Sequence, residues 1–383
     1  QVRTGVVFGV THLAGMSEEA AKAVASREAI TPFDLGNGPL MRVYLVELAE
    51  ERNLCILNIH HIVSDAWSIQ ILFNEVLTLY RAFRENQENP LPPLRIQYKD
   101  YAYWQQKQLA EHQQEHRQFF RKRFSRDIPV LNLPTDFARP RVKSSNGGIV
   151  SWPLDEETSA GIRQLGWNHN ASLFMVLTAL VKTLLFRYTG QPYLIVGAPI
   201  AARTHPDLEN QIGLFVNLLA LDTYVEEGES FRSLLQKVKA ATLALYEHQT
   251  YPFDCLIDDL QVTRQESRSP LFDVIVQLQN VRVLDASAQP DELDIQPLAV
   301  DYPVCKYDLN FTFDEGSAGI AMLIEYNRDL FRESTIRQMG GNFAAIARAV
   351  TAGEASLLTR IELPASRQEE AEEDAFLRKM HEV

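Results

Sequence analysis

The stretch "NIHHIVSDAWS" (residues 58–68) places two adjacent histidines after an apolar run, with an aspartate shortly behind them. A histidine takes or gives a proton near neutral pH, and a loop at a strand end can present it to a substrate. Successive strand residues point to opposite faces, so at most one of His60 and His61 faces any one cavity. The other is expected to be buried and hydrogen-bonded. Asp65, a carboxylate beside an apolar strand, needs a partner if it is buried. From these residues alone, a proton-handling site and a surface turn with a satisfied core histidine both stand.

Other chemistries find less support. Adjacent strand positions do not easily ligate one metal ion, the remaining histidines are scattered, and no HExxH pattern occurs. No GxSxG is present, and Cys55, Cys255 and Cys305 lack an evident base. Ser64 and Ser68 flank the motif, with Ser68 expected as a helix N-cap. GxGxxG and P-loop patterns are absent. In "IVGAPIAARTHPDLENQIGLFVN" (195–217) a lone Arg203 follows a strand end, a candidate two-pronged partner for Asp65.

The 383 residues, 46% hydrophobic and 23% charged, suit a soluble globular chain with two sizeable cores. A net charge of −13 argues against nucleic acid binding, which needs a basic face. The basic run "RQFFRKRFSR" (117–126) reads as a solvated helix face. No apolar run reaches the ~18 residues of a membrane span. Three distant cysteines give neither zinc spacing nor a disulfide framework, so a cytoplasmic location is expected. The chain opens on "QVRTGVVFGV", with no signal peptide, as if in mid-domain.

The motif needs elements to hold it. "LMRVYLVEL" (40–48) and "LCILNI" (54–59) read as a strand hairpin around "AEERN". Ile71, Leu72, Val76, Leu79, Tyr80 and Phe83 recur at helical spacing, so the histidines lie on a strand-to-helix connection. A long helix is predicted from "YKDYAYWQQ" to about residue 124. A Pro-, Gly- and Ser-rich stretch (128–148) suggests a boundary between halves. Beyond it come a strand at "GIVSWPL", a helix closed by Gly190, a strand at "PYLIVGAPI" and a helix near 230–248. Strands at "LFDVIVQLQN", "YDLNFTF" and "IAMLIEYN" precede a last helix near 333–352. The fold class is α+β, a mixed α/β sandwich with helices covering sheets.

"HHIVSDAWS" resembles the HHxxxDG signature of the condensation domains of nonribosomal peptide synthetases. Further segments resemble that family's motifs in order: "PFDLGNGPLMRVYL" (32–45), "YKDYAYWQQ" (98–106), "VGAPIAARTHPDLENQIGLFVN" (196–217), "HQTYPFDCLIDDL" (248–260), "RSPLFDVIVQLQN" (268–280) and "KYDLNFTF" (306–313). HHxxxD alone also occurs in other acyltransferases of the chloramphenicol acetyltransferase superfamily.

The resemblance implies a pseudo-dimer of two acetyltransferase-like halves in a V. The halves would span 1–140 and 141–365, with an acidic linker at 366–383. The first half would lack the family's opening strand and helix. The implied reaction is amide bond formation in natural-product and antibiotic biosynthesis, of the type joining two L-residues. An upstream carrier-bound acyl or peptidyl thioester is attacked by the amine of a downstream carrier-bound aminoacyl thioester. Both arms are 4'-phosphopantetheine supplied by the peptidyl carrier proteins; no cofactor is bound by the domain itself. An adjacent adenylation domain is implied, and neither nucleic acid nor membrane. His61 would be the general base or amine orienter and His60 structural. Asp65 would pair with Arg203 to hold the loop, and the backbone at Ala66, where the family has glycine, would lie near the reacting carbonyl. Ser64, Trp67, Asn217, Lys306 and Asp308 are candidates along the substrate tunnel. Trp104 and Phe253 are expected to be packing residues. Related possibilities are epimerisation, ester formation, transfer to a free acceptor, or a silent recruitment or spacer domain of the same fold.

Overall fold

The computed structural model describes residues 11–279, 293–296, 298, 304–316 and 319–364. The segment expected as an acidic linker, 366–383, lies outside them. The chain forms two compact units. The first is drawn mainly from residues up to Ala110 and from Ala201–Val216; the second is drawn from Glu111–Ile200, Asn217–Asn280 and the chain from Pro303 onward.

In the first unit, β1 (Thr11–Ala14) pairs in parallel with β2 (Met41–Ala49), which pairs antiparallel with β3 (Arg52–Ile59). The predicted hairpin is present, with a turn tightened to Glu50 and Glu51. Glu51 takes the left-handed φ of 60° that so short a connection demands. Between β1 and β2 lies α1 (Glu18–Ile30), which buries Ala21, Val24 and Ala25. Ser17 opens it by accepting from the Ala20 amide at 3.2 Å. Glu28 on this helix is buried against Arg42 (3.1 Å) and the Tyr44 hydroxyl (2.8 Å). Then come α2 (Ala66–Arg84) and α3 (Tyr98–Arg123); the first turns of α3 count with this unit and the later ones with the second.

The second unit is built on a six-stranded sheet. Its strands are β4 (Gly147–Pro153), β5 (Tyr193–Ile200), β6 (Asn217–Tyr224), β7 (Val274–Gln279), β8 (Leu309–Gly316) and β9 (Gly319–Asn327), in the order β4-β9-β8-β7-β5-β6. β5, β7 and β8 run parallel and the outer pairings are antiparallel, a mixed sheet. Its helices are α4 (Glu156–Asn168), α5 (Leu173–Thr189), α6 (Phe231–Glu247), α7 (Phe253–Asp259) and α8 (Glu333–Ala352). The sequence of α5 is largely apolar, and every residue from Met175 to Leu185 is buried. Each buried leucine there contributes about 2 kcal/mol by area. Gly190 ends α5 at φ 65°, the left-handed cap a side chain would oppose.

Lys182 lies inside this core with no exposed surface. Its Nζ donates to the Leu221 carbonyl and to Thr223 Oγ1, each at 2.7 Å. Burial pushes the amine down to about 7. Two acceptors match the two N–H bonds of a neutral amine.

The basic run at 117–126 departs from the solvated face expected of it. Arg117 Nε meets Asp259 Oδ1 at 2.8 Å, Arg123 pairs with Asp222, and the Arg126 guanidinium lies 4.8 Å from the Tyr224 ring centroid. Arg117 and Arg123 fasten the later turns of α3 to the second unit, while Arg121 and Lys122 face solvent. The proline-rich stretch is likewise fastened: the Asp136 and Phe137 amides donate to Leu330 O, and Asn132 N donates to Gln191 Oε1. Among the described residues no single helix is long and apolar enough to cross a membrane.

Candidate active site

The site is assembled within the first unit. β3 delivers His60 in extended conformation, and the His60 amide donates to Leu40 O at 2.9 Å. A short 3-10 turn (His61–Val63) follows. His60 Nδ1 accepts from the Ile62 amide at 3.0 Å, and its ring stands edge-on to Phe33, centroids 5.7 Å apart. His60 is thereby committed to holding the turn. His61 is exposed, and its imidazole has no hydrogen-bond partner among the described residues.

Ser64 and Asp65 continue extended and buried, and α2 begins at Ala66. The helix N-cap is Asp65, not Ser68. Asp65 Oδ1 accepts from the Ser68 amide at 2.8 Å, so Ser68 is the capped residue. Asp65 Oδ2 accepts from the Phe215 amide at 3.0 Å. Burial opposes the Asp65 charge, but hydrogen bonds from Ser68 and Phe215, together with Arg203, hold its carboxyl below the usual range.

Arg203 comes to Asp65 from the 201–216 loop, and the pairing is one-pronged. Nη2 lies 3.1 Å from Oδ1 and 3.4 Å from Oδ2, and donates to Ser68 Oγ at 2.9 Å. Nη1 turns to its own loop, donating to the carbonyls of Leu208 and Gln211. The guanidinium carbon sits 4.0 Å from the Phe215 ring centroid. Burial lowers the Arg203 pKa against the pull of Asp65. The two-pronged fork expected from sequence is absent because the second prong organises the loop instead.

Ser68 and Trp67, given other roles from sequence, and Gly213, Tyr98 and Tyr101, given none, complete this knot. Ser68 Oγ donates to Gly213 O at 2.9 Å and accepts from the Gly213 amide at 3.1 Å. A side chain on Gly213 would collide with the Tyr98 ring, 2.2 Å away. The Tyr98 hydroxyl donates to Leu214 O at 2.8 Å, and Tyr101 packs on Phe215 with centroids 4.7 Å apart. Trp67 Nε1 donates to Glu209 O at 2.9 Å. The signal that could have found them was local: a serine three residues past an acidic N-cap, and a glycine in the facing loop.

Ala66 is the first helical residue of α2 and is not among the positive-φ residues. Alanine therefore fits without backbone strain. The other tunnel candidates lie in the second unit. Asn217 Nδ2 donates to Gln249 O and Tyr251 O, and Oδ1 accepts from the Phe253 amide, so its whole amide is committed to one loop. Asp308 is buried and paired with Arg139. Lys306 is exposed. Phe253 packs on Phe272, and Trp104 stays 43% exposed beside Tyr101. No group of acids, cysteines and histidines among the described residues could hold a metal ion.

A family model for the condensation domain matches residues 6–371. The chain belongs to the condensation domain family. Among curated relatives, this condensation domain is 40% identical over 336 residues to tyrocidine synthase 3 of Brevibacillus parabrevis. That match covers 87% of the chain and 5% of the relative. Against tyrocidine synthase 2, also of Brevibacillus parabrevis, identity is 39% over 338 residues, covering 87% of the chain and 9% of the relative. The condensation domain thus spans a small fraction of the synthases it matches, as expected for one domain type found in nonribosomal peptide synthetases. Solved structures share its mixed α/β fold. The X-domain from teicoplanin biosynthesis superposes with a TM-score of 0.84 at 22% identity, covering 93% of this chain and 81% of that one. The first condensation domain of the CDA synthetase gives 0.72 at 20% identity, covering 93% and 78%.

Proposed function

We propose that the domain forms an amide bond between two carrier-tethered substrates, joining L-residues. The observation that carries this reading is an exposed His61, without a partner among the described residues, on a turn braced on both sides, by His60 before it and by the Asp65–Arg203–Ser68 knot after it.

The amine of the downstream aminoacyl thioester attacks the upstream thioester carbonyl. The C–N bond forms, the C–S bond breaks, and the sulfur leaves as a thiol with the proton the amine gives up. His61 acts on that amine as base or orienter. His60 and Asp65 keep it in place, and the first-turn amides of α2 at Ala66 stand near the reacting carbonyl. No covalent enzyme intermediate is required, since holding both arms together supplies much of the rate. Trp67 flanks the turn and Ser64 is buried beneath it, while Lys306, exposed in the second unit, is a further candidate to meet substrate. The substrates arrive on phosphopantetheine arms of upstream and downstream carriers, beside an adenylation domain, in the cytoplasm.

The test is dipeptide formation between two loaded carrier proteins, read by mass spectrometry, for the wild type and His61→Ala. Product from the wild type with a loss of at least about a hundredfold in the variant supports the reading. Equal turnover by both, or none from folded wild type across several donor and acceptor pairs, overturns it in favour of a silent fold.

A further inference from the structure

The last turn of α4 carries Trp167, the most exposed large hydrophobic residue among those described, at 83%. It borders a cavity of about 320 Å³ in the second unit. Arg163, Gly166, Trp167 and Asn170 also line this cavity and recur at i, i+3, i+4 and i+7, so α4 and the turn that ends it present one face to it. Leu173, the first residue of α5, adds a second apolar wall, and Glu315 reaches the cavity from the end of β8.

The walls are set in advance. Asn170 takes a left-handed φ of 47°, and the Ala171 amide returns to Gly166 O at 2.9 Å. A side chain at Gly166 would stand 2.9 Å from the Ala171 carbonyl oxygen, so glycine is what lets the chain turn this tightly. The turn is further tied to its surroundings through His169. Its Nε2 meets Glu354 Oε2 at 2.6 Å, and its carbonyl accepts from Lys239 Nζ of α6 at 2.9 Å.

Two opposite charges meet at the cavity. Arg163 Nε donates to Glu315 Oε1 at 2.6 Å. Both side chains are partly exposed, so water screens the pair and parting it costs little. A ligand bearing both a carboxylate and an ammonium can replace that contact, giving its carboxylate to Arg163 and its ammonium to Glu315. An indole and a leucine beside those charges favour an apolar side chain. A free α-amino acid holds these three parts on one carbon, and a cavity at the low end of ligand-pocket volumes suits so small a molecule. We propose that the cavity binds a free apolar or aromatic α-amino acid, with Arg163 on the carboxylate, Glu315 on the ammonium and the side chain against Trp167 and Leu173. The site shares no residue with the histidine turn and goes beyond the reaction proposed above: it gives the domain a contact with an amino acid that is not tethered to a carrier.

The test is titration of the full chain with L-phenylalanine, followed at the indole N–H resonance of Trp167, which Trp167→Phe identifies. Saturable binding in the millimolar range is expected, as for a ligand of few atoms on an open site. Three analogues each lack one part: 2-phenylethylamine the carboxylate, 3-phenylpropanoate the ammonium, and glycine the side chain. Each should bind about tenfold more weakly than phenylalanine, the size of one lost charge-assisted contact or one side chain left in water. Arg163→Gln, Glu315→Gln and Trp167→Ala should each weaken phenylalanine to a similar degree in saturation-transfer spectra of the ligand. All three positions are exposed, so the unfolding midpoint should hold. Absence of saturable binding by the wild type, an analogue that binds as well as phenylalanine, or an affinity unchanged in the folded variants overturns the proposal. The analogue series uses the wild type alone, so a misfolded variant does not blunt it. No arm reads turnover, so an inactive domain would overturn the function above while leaving this measurement decisive.

Discussion

Arg203 holds Asp65 with Nη2 alone, the two side chains being 2% and 5% exposed, and gives Nη1 to the backbone of its own loop. One guanidinium therefore couples the start of α2 to the 201–216 loop. Asp65→Ala leaves a buried cation without its partner and should cost about 3–5 kcal/mol. Arg203→Lys should cost nearly as much, because an ammonium cannot span both the carboxylate and the loop carbonyls. A double-mutant cycle by denaturant unfolding measures the coupling. Strict additivity of Asp65→Ala and Arg203→Ala would mean that the contact is idle.

His60 and His61 should separate cleanly. His60→Ala removes the acceptor for the Ile62 amide, at a cost of about 1–2 kcal/mol, and His60→Asn should restore part of it. His61→Ala, at an exposed position without a partner among the described residues, should leave the unfolding midpoint unchanged while abolishing condensation. Thermal unfolding beside the dipeptide assay distinguishes them, and a destabilised His61→Ala would contradict the division of roles.

Ala66→Gly restores the family's glycine at a position whose φ does not call for one. Stability should fall by at most about 1 kcal/mol, the entropic cost of glycine in a helix, with turnover changed less than about threefold. A tenfold gain in rate would show that the methyl group obstructs the substrate.

His116 on α3 and His248 after α6 face each other with Nδ1 atoms 2.9 Å apart, His248 stacking on Phe119 and His116 on Tyr251. The pair shares one proton between these nitrogens, so it tolerates no second one there. Burial, then the neighbouring His248, lowers the His116 pKa; burial lowers that of His248 against Glu115 and Glu247. The unfolded chain binds protons near the ordinary 6.5, above the folded values. It therefore holds more protons in that window, and stability falls as pH drops from 6.5 toward the lowered folded values, being flat above. Arg117 and Cys255, both with raised pKa values, also lie around Tyr251 and stay in one charge state through this window. Urea midpoints at pH 8 and pH 5 should differ, and His116→Gln should reduce the difference. An unchanged difference would place the acid sensitivity elsewhere.

What could be read from sequence followed the strength of the local signal. The β2–β3 hairpin, α5 with its Gly190 stop, and the strand-to-helix setting of the histidines all carry periodicity or turn chemistry that tertiary structure did not override. α1 and α4 escaped notice for different reasons. The inward face of α1 is Ala21, Val24, Ala25 and Glu28, which gives little apolar contrast. α4 contains Gly161 and Gly166, which weigh against a helix until packing is seen: a side chain at Gly161 would strike Thr351, and one at Gly166 the Ala171 carbonyl. In the site, the pairing of Asp65 with Arg203 could be guessed from charge. The capping role of Asp65 and the bridging by Ser68 could not, since both depend on where the 201–216 loop returns. The arginines of the basic run were misjudged because their carboxylate partners, Asp259 and Asp222, are remote in sequence.

Lys182 gives the molecule a clock of its own. Acylating reagents attack uncharged amines that water can reach, and burial shifts this amine toward its uncharged form while sealing it between α5 and β6. It can react only when that seam parts. Pulsed labelling followed by peptide mass spectrometry would therefore report how often the core of the second unit opens, with surface lysines marking total reagent exposure and Lys182 counting openings.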